Sequence, residues 1–226
     1  MMNRSLVLSA IITTALTQPV MAQDITTIGT PLLSGNAVSS LSYNTKPVIG
    51  QPAPSFSVTD THGNVISNES LKGKIVVLEW KNHQCPFVRQ HYGTGNMQAL
   101  QQYASENDII WVSVISSAEG KQGFVSAEEA NDIAALEESN AAHIVIDSQG
   151  TFGRQYGAKV TPHMFVIEKD GTLAYMGGID DTPTADPEDV ETANNYVKNA
   201  MYTLLAGGDV SPTTSKPYGC SVKYDY

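Results

Sequence analysis

From Lys74 to Trp80 the chain reads KIVVLEW, and from Ile109 to Ile115 it reads IIWVSVI. Compact apolar runs rich in β-branched residues predict strands buried on both faces of a sheet. HIVID, at 143–147, predicts a third strand. The stretch FSVTDTHGNVISN alternates around a His-Gly turn and reads as a short hairpin. A second hairpin, MFVIEKDGTLAYMGGID, turns at Asp170-Gly171. Between these runs the period changes to that of a helix. The segment after Cys85 is interrupted at GTGN and resumes with Met97, Leu100 and Tyr103 on one face. Ser126 followed by Glu129 makes a capping box, with Ala130, Ile133, Ala134 and Glu137 at helical spacing after it. Asp186-Pro187 offers a last cap. From it runs an apolar stripe of Val190, Ala193, Val197, Ala200, Met201, Leu204 and Leu205, which stops at Gly207-Gly208.

Strands that alternate with helices pair in parallel through crossover connections, and a closing hairpin adds antiparallel strands at one side. The expected fold class is therefore α/β, a central mixed sheet with helices on both faces. The N-terminus carries Arg4, the apolar run LVLSAIITTAL and then VMA before Gln23, the pattern of a cleavable secretory signal over 1–22. Residues 23–46, rich in Ser, Thr and Gly, read as an extended arm, 47–207 as the domain and 208–226 as a tail carrying Cys220. No other stretch approaches the length of a membrane span, so a periplasmic or secreted protein without membrane contact is expected after cleavage. The formal net charge is −10 and the Lys and Arg residues are scattered, which argues against a nucleic-acid partner. The run DDTPTADPEDVE lacks the Gly-centred ligand spacing of a calcium loop and reads as a solvated acidic loop.

Two cysteines are too few for a disulfide scaffold. Cys85 lies at the end of a predicted buried strand, and Pro86 fits the first position of a helix. Ligands of α/β sheets bind at such strand ends, and backbone N–H groups with the helix dipole favour an anion there. A thiolate is such an anion, which makes Cys85 a candidate nucleophile; the alternative is a small buried core residue. Arg89, one helical turn away, is the cation close to it in sequence. His91 falls on the exposed side of this helix, and His62 and His143 read as structural. Cys220 is either half of a structural disulfide with Cys85, a resolving thiol that attacks an oxidised Cys85, or an unpaired thiol.

Together, IGQPAPSF, LKGKIVVLEW, the Cys85-Pro86 turn, DSQGTFGRQYGAKVTPHMFVIEKDG and GGIDD resemble the thioredoxin-like superfamily. The resemblance is to exported redoxins of the group that joins peroxiredoxins to thiol-disulfide oxidoreductases, and it covers about 48–205. It implies a thioredoxin-like fold, a cis Thr161-Pro162 peptide facing Cys85, and thiol chemistry without a cofactor. The sequence departs from the better-known relatives in two ways. The position three after Cys85 is Val88 rather than a second cysteine. Leu78 and Asn82 stand where peroxiredoxins have proline and threonine, and their later arginine would fall near Pro162. The leading expectation is an exported oxidoreductase acting on a protein disulfide or a peroxide with an unidentified reductant. Its site residues are Cys85 and Cys220, with Asn82, His83, Pro86, Arg89, Thr161, Pro162 and His163 binding substrate or tuning the thiol. The alternative is a non-catalytic binding module, chaperone-like or holding copper or zinc through a convergence of His83, His163 and Cys85.

Overall fold

The computed structural model describes residues 46–225, so the signal and nearly all of the arm expected before them lie outside the described residues. In chain order the elements are β1 (Ser57–Thr59), β2 (Val65–Ser67), β3 (Val76–Trp80), α1 (Pro86–Gly93), α2 (Asn96–Glu106), β4 (Ile110–Ile115), α3 (Ala127–Leu136), β5 (His143–Ile146), α4 (Thr151–Tyr156), β6 (Val160–Thr161), β7 (His163–Ile167), β8 (Leu173–Gly177), α5 (Tyr196–Leu205) and β9 (Cys220–Ser221). Five strands form one mixed sheet in the order β5-β4-β3-β7-β8. The pairs β3–β4 and β4–β5 are parallel, whereas β3–β7 and β7–β8 are antiparallel. The KIVVLEW and IIWVSVI runs form β3 and β4 in the middle of the sheet, beside β7 from the second hairpin, while HIVID forms the edge strand β5.

Alternation along β3 and β7 sends residues to opposite faces, because successive side chains of a strand point to opposite sides of its sheet. Leu78, Trp80, Phe165 and Ile167 enter one cluster with Phe56, Phe152 and Tyr156 from the hairpin and α4. Val77, Met164 and Val166 enter the other, with Val88 and Tyr92 of α1, Met97 and Leu100 of α2 and Val197 and Met201 of α5. Helices thus cover both faces. The β1–β2 hairpin runs along the β5 edge through an Asp60–Val145 bridge, and the tail runs along the β8 edge through a Met176–Thr214 bridge.

Ser126 and Glu129 form the expected capping box at the start of α3. The last helix differs from expectation. Asp186-Pro187 caps only a 3₁₀ turn over Pro187–Asp189, and α5 begins at Tyr196 under an Asn195 cap that accepts from Lys198 N. The intervening stretch from Glu191 to Asn194 carries too few apolar residues to hold a continuous helix against the sheet; only Val190 and Ala193 of the predicted stripe precede α5, and both stay partly exposed.

Candidate functional site

The turn between β3 and α1 is fixed by Asn82, which is buried. Its Oδ1 accepts from Gln84 N at 2.9 Å and its Nδ2 donates to Gln122 O at 3.2 Å. Gly123, at φ +83°, lies so close that a Cβ there would overlap the Asn82 amide. Cys85 is the N-cap of α1, with extended dihedrals, and Pro86 is the first helical residue. Proline suits that position because its missing N–H is one the helix would leave unpaired anyway. The Cys85 backbone is committed locally: its N–H donates to Asn82 O, and its carbonyl accepts from Val88 N and Arg89 N.

Facing this turn, the Thr161-Pro162 peptide is cis, as expected. Cys85 Sγ donates to Thr161 O at 3.2 Å. The tail crosses the same place. β9 pairs antiparallel with β6, setting Cys220 opposite Thr161, and the Cys220 sulfur lies 2.6 Å from that of Cys85. Both cysteines are thiols here, and Cys85 is 0% exposed. Beyond β9, Val222 and Tyr224 enter the core cluster below Trp80, Val222 N donates to Lys159 O, and the Tyr224 hydroxyl donates to Ala158 O. Before β9, Gly219 stands at φ +126°, where a Cβ would overlap the Thr161 carbonyl. Gly219→Ala should therefore lift the tail and make Cys85 react with a small alkylating reagent at least tenfold faster; an unchanged rate would show that the tail does not shield the thiol.

Burial, and then the contact with Cys85, push the Cys220 thiol up to about 11, so it resists ionisation. His83 is half-buried, held below the usual histidine range by burial and by Lys81. His163 is pushed down to about 4, chiefly by burial; its ring stacks on Phe165 at 4.6 Å and its Nδ1 accepts from Lys159 N. Because His163 and Phe165 are two positions apart on β7 they share a face, so His163 lies on the side of the sheet opposite the cluster that contains Cys85. The convergence of Cys85, His83 and His163 expected from sequence does not form, and among the described residues no three His, Cys, Asp or Glu side chains are grouped to hold a metal ion. Arg89 and Pro86 are exposed, and the Asn82 amide is spent on the turn rather than on the thiol. Thus Cys85, Thr161 and Cys220 meet at the cis peptide that Thr161 makes with Pro162, while Asn82 and Pro86 shape the turn that carries Cys85.

Sequence reasoning passed over a buried acid beside the site and misplaced a histidine. Glu79, 0% exposed on β3, accepts from the Tyr92 hydroxyl at 3.1 Å, Trp111 Nε1 at 2.9 Å and Ser113 Oγ at 2.8 Å. Its signal was an acid inside an otherwise apolar run, which a strand buried on both faces tolerates only when the acid is hydrogen-bonded. His91, expected on the exposed side of α1, is also 0% exposed, because Tyr218 of the tail and Asp180 close over it. Burial pushes it down to about 4.

A family model described as Redoxin matches residues 49–195. The chain belongs to the redoxin family. This redoxin is similar in structure to a hypothetical protein of Sinorhizobium meliloti, with a TM-score of 0.66 at 19% identity over 79% of this chain and 95% of that one. An uncharacterized conserved protein of Geobacillus kaustophilus gives a TM-score of 0.66 at 24% identity, covering 79% and 93%. A Bacteroides thetaiotaomicron protein, described as a candidate protein disulfide isomerase, gives 0.52 at 17% identity, covering 71% and 91%. These likenesses establish the thioredoxin-like fold. No curated protein matches the chain. The family match stops at 195, so α5 and the tail that brings Cys220 to Cys85 lie beyond what the redoxin model describes.

Proposed function

We propose that this redoxin is an exported thiol-disulfide oxidoreductase in which Cys85 is the nucleophile and Cys220 the resolving thiol. The observation that carries the reading is the 2.6 Å separation of the two sulfurs beside a cis Thr-Pro peptide and a helix N-terminus. Thiolate exchange needs only such an arrangement. The Cys85 thiolate attacks one sulfur of a substrate protein's disulfide, and the other substrate sulfur departs as a thiolate and takes a proton. Cys220, giving up its proton, then attacks the Cys85 sulfur, releasing the second substrate thiol and leaving a Cys85–Cys220 disulfide. Two electrons have passed to the substrate, and an external dithiol restores the pair by the reverse exchanges. Cys220 resists ionisation in the reduced protein, which fits the thiol that attacks second rather than first.

Reduction of a peroxide has less support. The positions where peroxiredoxins carry proline and threonine hold Leu78 and Asn82, and the Asn82 amide points to Gln84 and Gln122 instead. The export signal proposed for 1–22 gives the pair an oxidising compartment in which a disulfide persists. Turnover of a protein disulfide in the presence of dithiothreitol tests the reading. Cys85→Ser should abolish it, and Cys220→Ser mixed with the protein disulfide without dithiothreitol should accumulate a mixed disulfide on Cys85, visible as a mass adduct. Wild-type turnover by Cys85→Ser would sink the proposal, and so would a Cys220→Ser protein that turns over normally without an adduct.

A further inference from the structure

The tail is held two residues before Cys220 by one side chain. Tyr218 lays its ring edge-on against Phe87 of α1, with centroids 5.9 Å apart, and its hydroxyl donates to Asp180 Oδ1 at 2.5 Å. Asp180 is itself buried just after β8, and its Oδ1 also accepts from Thr182 N at 3.0 Å. His91 completes the group from α1. Asn96 Nδ2 lies 3.0 Å from His91 Nδ1, and the other ring nitrogen, Nε2, lies 3.5 Å from the Gln90 amide nitrogen, 3.5 Å from the Tyr218 oxygen and 3.9 Å from Asp180 Oδ2. Burial, and then Asp180, raise the Tyr218 phenol, so it keeps its proton and remains the donor. Only Gly219 separates this anchor from Cys220. Because that glycine runs hard against the Thr161 carbonyl, little slack is left between the phenol and the sulfur.

We propose that Tyr218 and Asp180 form a clasp that positions Cys220 for attack on Cys85, so that the clasp, rather than the tail's attachment to the core alone, sets the effective concentration of the resolving thiol. The inference deepens the proposed exchange reaction and rests on it for its biological meaning. The geometry distinguishes the clasp from the other tail anchors. Ser215, bonded to Gly178 N and the Tyr175 hydroxyl, lies five residues before Cys220, and Val222 and Tyr224 lie after it on the opposite face of the sheet. Those contacts hold the tail to the domain, and the β6–β9 ladder holds Cys220 along the Thr161 side; the clasp adds a side-chain hold from the α1 side of the sulfur. A hydrogen bond to a buried carboxylate is among the stronger neutral-donor contacts available in a protein, and its loss leaves the carboxylate buried and short of a donor.

The test is the equilibrium constant for bridging Cys85 to Cys220 in full-length protein held in graded mixtures of reduced and oxidised glutathione, read by mass after acid quench. Tyr218→Phe keeps the ring against Phe87 and removes only the donor. It should lower the constant about tenfold or more, and Asp180→Leu should do the same. Asp180→Asn retains an acceptor for the phenol and should recover most of the loss. The double variant Tyr218→Phe/Asp180→Leu should bridge no more weakly than the weaker single variant, because both changes break one contact. Thermal midpoints in a Cys85→Ser/Cys220→Ser background read any purely structural role. A fall there, with bridging constants unchanged in the cysteine-bearing variants, would overturn the proposal, as would fully additive losses. The outcome is independent of turnover: a wild type that bridges through the clasp yet reduces no protein disulfide would retire the proposed function and leave the clasp standing.

Discussion

Oxidised protein carrying a Cys85–Cys220 bond should be more stable toward urea than the reduced form by about 5 kcal/mol, because the bond closes a very long loop in the unfolded chain. The two cysteines are 135 positions apart, and a cross-link of that span removes more chain entropy from the unfolded state than a short one. The folded state needs little rearrangement, since β9 already pairs with β6 and Val222 and Tyr224 are already buried. Paired urea titrations of oxidised and reduced protein measure the difference, with the Cys220→Ser variant as the reference that cannot bridge. Oxidised and reduced forms unfolding at the same midpoint would mean that closing the bond distorts the native site by as much as it restrains the unfolded chain.

The second large effect belongs to Glu79. Glu79→Leu should destabilise the protein by about 3–5 kcal/mol, whereas Glu79→Gln should cost clearly less. The reason lies in what leucine leaves behind. The Tyr92 hydroxyl, Trp111 Nε1 and Ser113 Oγ all donate to this carboxylate inside the sheet–helix layer, and each would lose its acceptor without gaining water. Lys81 is affected as well. Burial pulls its ammonium down, but Tyr92, Glu79 and Glu137 more than offset that, and the ammonium sits 3.8 Å from the centroid of the Tyr92 ring. Glutamine keeps a carbonyl acceptor near the same position, so most donors stay paired. Urea midpoints of the two variants check the ordering, and leucine tolerated as well as glutamine would contradict the network's contribution.

The features that sequence made legible are those set by nearby residues. β3 and β4 followed from runs of β-branched residues, and β7 from the hairpin that turns at Asp170-Gly171. The Cys85-Pro86 helix start followed from proline's fit to a first turn, and the capping box from Ser126 and Glu129 three positions apart. The cis Thr161-Pro162 peptide was legible only through the family resemblance, since an X-Pro step alone does not reveal its isomer. What stayed hidden depends on contacts between distant parts of the chain. His91 occupies a helix position next to buried neighbours, but its own burial comes from Tyr218 and Asp180, which lie 127 and 89 positions away in the chain. The pairing of Cys220 with Cys85 depends on β9 finding the free edge of β6, a two-residue ladder with no periodic signal. His163 looked like a cleft residue because it follows Pro162, yet strand alternation turns it to the other face. The last helix was read from too early a start because a cap at Asp186 looks the same in sequence whether it opens one turn or a full helix.

The tail also runs beside β8, where Met176 N donates to Thr213 O and Ser215 N donates to Met176 O. It therefore guards a sheet edge. The opposite edge is shielded by the β1–β2 hairpin, with Thr61 N donating to Ile144 O. An unguarded outer strand presents a row of unpaired donors and acceptors to any other extended chain. If the tail detached along its whole length, it would bare the backbone of β8 together with the thiol. The same event that admits a substrate would then invite copies of the protein to join edge to edge. Lifting only the stretch around Gly219 and Cys220, with Thr213 to Ser215 still bonded, keeps the sheet closed while the sulfur is uncovered.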